Sequence, residues 1–78
     1  MVHVRYFAGA RAAAGVAEES IDAATLEELL AVVHRRSDRM PAVLAASSFL
    51  VDGLAVHDRS EPLRPGCTVD VLPPFAGG

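Results

Sequence analysis

Lysine is absent from this chain: all seven of its basic residues are arginines, set against ten acidic ones for a formal charge of −3. No side-chain amine is therefore available for self-conjugation. The acidic balance also argues against phosphate-backbone binding, which requires a basic face, so no nucleic-acid partner is expected. Cysteine occurs once, at Cys67. That excludes an internal disulfide framework and fits a reducing compartment. Cys67 stands at the mouth of a strand with no nearby charge pattern to lower its pKa, and reads as a small semi-buried hydrophobe rather than a persulfide carrier. The three histidines, His3, His34 and His57, lack metal-ligand spacing and no Cys/His cluster accompanies them, so no metal is expected. Gly9 and Gly15 lack the neighbours of a phosphate-binding loop; any ATP has to bind to a partner. No run approaches the ~20 apolar residues that span a bilayer. The N-terminus opens on a strand pattern with no basic segment and apolar signal core before it, which predicts cytoplasmic residence and no membrane partner.

What is present is a 51% hydrophobic chain of 78 residues, enough for one small α+β domain with a sheet and one long helix. Val2, Val4 and Tyr6 alternate with His3, Arg5 and Phe7, as in a half-buried strand whose first set faces the core. Residues 8–15 suggest a turn holding one short helical turn, with Arg11 in this loop, and a second strand is expected over Val16–Ile21. Thr25 and Glu28 form a capping box. Leu26, Leu29, Leu30 and Val33 follow as one apolar stripe, predicting a helix to about Arg36 with acids in its first turn and arginines in its last. Residues 37–47 read as a connection with at most a short helix. Asp52-Gly53 marks a hairpin between 49–51 and 54–56, and Thr68–Leu72 is the final strand, with Val69 and Val71 on one face and Asp70 and Leu72 on the other.

The domain is expected to end at residue 72, leaving 73–78 as an extended, flexible tail. Pro73 and Pro74 fix φ and lack amide donors, which aims the chain outward. After Phe75, side-chain volume falls to a methyl at Ala76 and to nothing at Gly77 and Gly78, a taper suited to a narrow channel. Six extended residues reach at most ~20 Å. The terminal carboxyl of Gly78 is ionised at neutral pH and a poor electrophile, so its use requires activation, for example by ATP as an acyl-adenylate that sulfur can then attack.

The opening V-x-V-x-Y-F-A with Arg11 after it, the hairpin V-D-G, the stretch Pro62-Leu63-Arg64-Pro65-Gly66 and the ending Pro-Pro-Phe-Ala-Gly-Gly resemble the MoaD/ThiS family of ubiquitin-like sulfur carriers, over essentially the whole chain and most specifically in its ending. The branch most like it is the small subunit of molybdopterin synthase. The resemblance implies a β-grasp fold: a mixed sheet of four or five strands on one main helix, with the first and last strands parallel at its centre. It implies that Gly78 is the catalytic residue, adenylated by an E1-like activating enzyme and converted to a thiocarboxylate, with ATP consumed by that partner and no cofactor bound here. The tail then enters a MoaE-like large subunit and donates sulfur to the molybdopterin precursor. It also places Phe7, Arg11 and Leu72 in the partner interface. For Phe7 and Leu72 this agrees with their position on the sheet face away from the helix. Cys67 stands where such families often carry an acid, and residues 37–47 match poorly. A carrier for cysteine or thiazole synthesis, and a modifier joined through Gly78 to lysines of other proteins, remain alternatives.

Overall fold

A computed structural model describes residues 1–74; Phe75, Ala76, Gly77 and Gly78 lie outside the described residues. Along the chain run β1 (Val2–Tyr6), α1 (Gly9–Ala14), β2 (Glu18–Ile21), α2 (Leu26–Val33), α3 (Met40–Ala46), β3 (Ser48–Val51), β4 (Leu54–Val56) and β5 (Thr68–Leu72). The strands form one sheet in the order β2-β1-β5-β3-β4. β1 and β5 pair in parallel at its centre, with Val4 beside Val69 and Tyr6 beside Val71, and every other pairing is antiparallel. This is the β-grasp arrangement. No helix among the described residues is long and apolar enough to cross a membrane.

The core lies between the sheet and the helices. Val2, Val4, Tyr6, Val69 and Val71 come from the central strands, and Leu26, Leu29, Leu30 and Val33 from α2, all of them buried. Burying such side chains stabilises by roughly 1.5–3 kcal/mol each. α2 starts where the capping box requires: the Glu28 amide donates to Thr25 Oγ1 at 3.2 Å. Its next orphan amides are closed by a loop, Leu26 N donating to Glu61 O and Glu27 N to Arg59 O. The β3–β4 turn has φ of 49° at Asp52 and 84° at Gly53, the positive pair that a two-residue hairpin turn requires. Asp52 also ties this hairpin to β5, its carboxylate accepting from the Thr68 amide at 2.9 Å.

The two stretches expected to hold at most a short helical piece each carry a short helix. Residues 9–14 form α1, so Arg11 lies on a helix rather than in a loop, and residues 40–46 form α3. α1 is too short to show an apolar stripe, and neither helix has a side-chain cap at its start. Met40-Pro41 reads as a break, but proline in a first helical turn occupies a place where its missing amide costs nothing. Met40 and Leu44, one turn apart, supply the buried side of α3. β2 begins at Glu18 rather than Val16, and α2 stops at Val33 rather than Arg36. Its end tightens into turns in which Arg35 N donates to Val32 O and Arg36 N to Val33 O.

Candidate functional site

Because β1 and β5 run in parallel, both end on the same side of the domain. The Phe7 amide donates to Val71 O at 3.2 Å, continuing the register one step beyond Tyr6 and setting Phe7 beside Leu72. Both are partly buried, and both belong to the sheet face that carries no helix. Directly after Leu72 come Pro73, half-buried, and Pro74, exposed. Pro73-Pro74 and the apolar pair are thus neighbours by topology.

One row of this open face crosses all five strands: Glu18, Arg5, Asp70, Leu50 and Ala55 stand side by side in register. At its centre Arg5 Nε and Nη2 donate to the two oxygens of Asp70 at 2.7 and 2.9 Å. Asp70 is the one buried charged side chain among the described residues, and Arg5 is half-exposed above it. The bidentate bond to Asp70, then the attraction of its charge, raises the Arg5 pKa above its ordinary value. The Arg5 guanidinium also lies 5.7 Å from the centre of the Phe7 ring, within cation–π range. One arginine therefore braces both the buried carboxylate and the aromatic ring next to Leu72. The alternation of β1 and β5 placed these side chains on one face, but their pairing required the parallel register.

Under Phe7 the chain turns sharply. Ala8 has φ 47° and ψ −125°, and Ala10 N donates to Phe7 O across the turn, a conformation that normally calls for glycine. This swings α1 against α3. Between Ala8 and Gly9 on one side, Ala42, Val43 and Ala46 on the other and Pro73-Pro74 as the third wall lies an apolar groove of about 530 Å³. Sequence reading missed this groove because it depends on α3. Arg11 is exposed on α1, and among the described residues no hydrogen bond or ion pair ties its side chain to Phe7 or Leu72.

Behind the sheet, Tyr6 Oη donates to Glu19 at 2.6 Å and Arg36 holds the same carboxylate through Nε at 3.0 Å and Nη2 at 2.7 Å, joining β1, β2 and the end of α2. Burial works to raise the Glu19 pKa, yet the bonds from Arg36 and Tyr6 outweigh it and hold the carboxyl below its usual value. Burial, then the hydrogen bond to Glu19, pushes the Tyr6 phenol well above its ordinary range. Cys67 is buried, and that burial followed by the Asp52 charge raises its thiol pKa, the opposite of what a sulfur nucleophile needs. Among the described residues no group of three potential metal ligands converges. Of the residues expected to form the tail, Pro73 and Pro74 are described, and Phe75, Ala76, Gly77 and Gly78 lie outside the described residues.

Comparison with known proteins gives three kinds of result. A sequence model described as the ThiS family matches residues 4–78. No curated protein sequence matches the chain. Among solved structures, a protein assigned as subunit 1 of molybdopterin converting factor from Pyrococcus furiosus is 30% identical, covering 95% of this chain and 97% of that one, with a TM-score of 0.83. Subunits 1 and 2 of the molybdopterin-converting factor from Helicobacter pylori, solved as a complex, give 25% identity, coverage of 99% and 97% and a TM-score of 0.76. The BexX/CysO complex of Amycolatopsis orientalis gives 22% identity, full coverage of both chains and a TM-score of 0.83, a likeness of fold alone.

Proposed function

The chain belongs to the ThiS family of ubiquitin-like sulfur carriers, and from that premise we propose that it serves as the small, sulfur-donating subunit of a molybdopterin synthase. The observation that carries this reading is the convergence of Phe7, Leu72 and the Pro73-Pro74 root at one end of the parallel β1–β5 pair. A docked partner can hold the open face there while the tail reaches into its interior. The similarity to a molybdopterin converting factor subunit over nearly the whole chain supports the choice of branch.

The chemistry is confined to Gly78. An E1-like partner joins the carboxylate to AMP, with pyrophosphate as the leaving group from ATP. A hydrosulfide-equivalent nucleophile then attacks the acyl carbon, the C–S bond forms, the C–O bond to AMP breaks, and a thiocarboxylate results. Inside a MoaE-like large subunit that sulfur passes to the pyranopterin precursor, and water restores the carboxylate. Glycine at this position leaves the acyl carbon unhindered. The rest of the chain positions the tail and supplies no acid, base or nucleophile of its own.

Intact mass spectrometry after incubation with ATP, a sulfide source and the host's activating enzyme tests the carrier chemistry. The expected product is heavier by the difference between one sulfur and one oxygen, located at Gly78 by fragmentation. No change with an activating enzyme proven competent on another carrier refutes it. Species joined through Gly78 to lysines of other proteins would instead establish a modifier. Supplying the thiocarboxylated protein to the MoaE-like subunit and the pyranopterin precursor tests the branch. Release of sulfur only in the presence of a cysteine or thiazole synthase would assign the chain to that chemistry.

A further inference from the structure

A groove of about 460 Å³ lies between α2 and α3 on the helical side of the domain, with exposed Ala31 and Ala45 over the buried Leu30 and Leu44, and Arg35 and Arg59 among its lining residues. Arg59 also borders a second groove of about 240 Å³, which runs past Ser47 and Ser48 toward His57. That second groove reaches Ala55, on the open-face row, and shares only Arg59 with the first. In a chain of net charge −3 this first groove sets two arginines, Arg35 and Arg59, against a single carboxylate, Glu27.

The arginines here are uncommitted. Arg5 and Arg36 each hold an acid, whereas neither Arg35 nor Arg59 forms an ion pair among the described residues. The Arg59 guanidinium instead lies 5.7 Å from the centre of the Phe49 ring, which orients it at the rim. The exposed small side chains Ala31 and Ala45 let another backbone approach closely. The backbone at this site is unsuited to a compact phosphate. The first amides of α2 are occupied by Glu61 O, Arg59 O and Thr25 Oγ1, leaving no cluster of free N–H groups beside the groove.

We propose that this groove docks an acidic amphipathic helix of a partner protein, its apolar residues against the exposed Ala31 and Ala45 and its carboxylates on Arg35 and Arg59. In helix-in-groove recognition an amphipathic helix lays its apolar face into a groove, and carboxylates along its flanks complement the two arginines. Because the groove between α2 and α3 lies on the covered side of the sheet, it can be occupied together with the open face.

The test is an NMR titration of the full-length ¹⁵N-labelled protein with a short synthetic helix-forming peptide bearing leucines on one face and glutamates along its flanks. The expected result is saturable shifts at Ala31, Arg35, Ala45 and Arg59 with none at Arg5, Leu50 or Leu72, weakening as salt rises. Joint replacement Arg35→Glu and Arg59→Glu should weaken binding about tenfold or more while the far-UV spectrum and melting temperature stay unchanged. Should the variant melt early, Ala45→Arg, on the exposed floor, is to block the same peptide in a folded protein. No saturable shift overturns the proposal, as does equal binding of the peptide with glutamines for glutamates. Equal shifts with inorganic phosphate or ATP would assign a small-anion site instead. Shifts that depend on protein concentration without peptide would assign self-association. Each readout is independent of sulfur transfer, so its failure leaves the carrier function standing.

Discussion

The two faces of the sheet are built from the same strands and handle charge in opposite ways. On the covered face Val2, Val4, Tyr6, Val69 and Val71 meet α2, and the one polar group among them, the Tyr6 hydroxyl, reaches the edge of the layer to bond Glu19. On the open face the same two central strands present Arg5 against Asp70, with Leu50, Phe7 and Leu72 around the pair. The covered face holds the fold together through apolar area. The open face keeps partly buried apolar groups next to a braced ion pair, which leaves a firm surface for recognition. Stability and function should therefore respond to different substitutions, although the residues concerned alternate along one strand.

The sharpest separation is expected at the tail. Deleting Gly78, or replacing Gly77 with a bulky residue, should abolish sulfur transfer and leave the melting temperature unchanged; a Gly78 deletion that unfolds the domain or keeps full activity defeats the tail reading. On the covered face, Leu29→Ala should cost about 2–5 kcal/mol in chemical denaturation, because Leu29 is fully buried in α2. On the open face, Phe7→Ala should weaken partner binding, measured by calorimetry, more than it lowers stability. A variant that melts early yet binds normally when folded would move Phe7 from the recognition surface to the core.

Smaller effects sharpen the boundary between the faces. The Glu19 carboxyl is held below its usual pKa in the folded state, so its contribution is complete above the unfolded value of about 4.3 and is lost as pH falls through the lower folded one. The difference in melting temperature between the native chain and Glu19→Gln should accordingly shrink under acid. The Tyr6 phenol is shifted the other way, so stability should fall as pH rises beyond about 10, where only the unfolded chain ionises. At the turn beneath Phe7, Ala8 holds a positive φ of a kind that costs about 1–3 kcal/mol in a residue with a Cβ. Ala8→Gly should raise stability by about 1 kcal/mol, since part of that relief is offset by the entropy glycine loses on folding. A neutral or destabilising result would show that the turn carries no strain.

Much of this was legible along the chain. The inward set Val2, Val4, Tyr6, the stripe from Leu26 to Val33, the Thr25 cap and the Asp52-Gly53 turn are local patterns, and each was found where its period or turn chemistry requires. The parallel pairing of β1 with β5 was expected from the order of elements and from family resemblance. The helices α1 and α3 were only partly legible, each as a short helical piece of unstated bounds, because α1 is too short to show an apolar period and α3 opens on Met40-Pro41. The tail-root groove depends on α3 and was missed. The Arg5–Asp70 pair spans strands far apart in sequence, and the Tyr6–Glu19–Arg36 bonds join three elements.

By itself the sequence determined which side chains face inward, where α2 starts, and the composition of the ending from Pro73 to Gly78, because periodicity, capping and backbone restriction act within a few residues. Only the tertiary structure decided that Asp70 is buried yet paired, that Arg5 reaches the Phe7 ring, and that α1, α3 and Pro73-Pro74 enclose a groove. Those arrangements depend on the register of two strands at opposite ends of the chain and on how helices settle over them. Register and packing are set by the whole core at once, and no local window contains them.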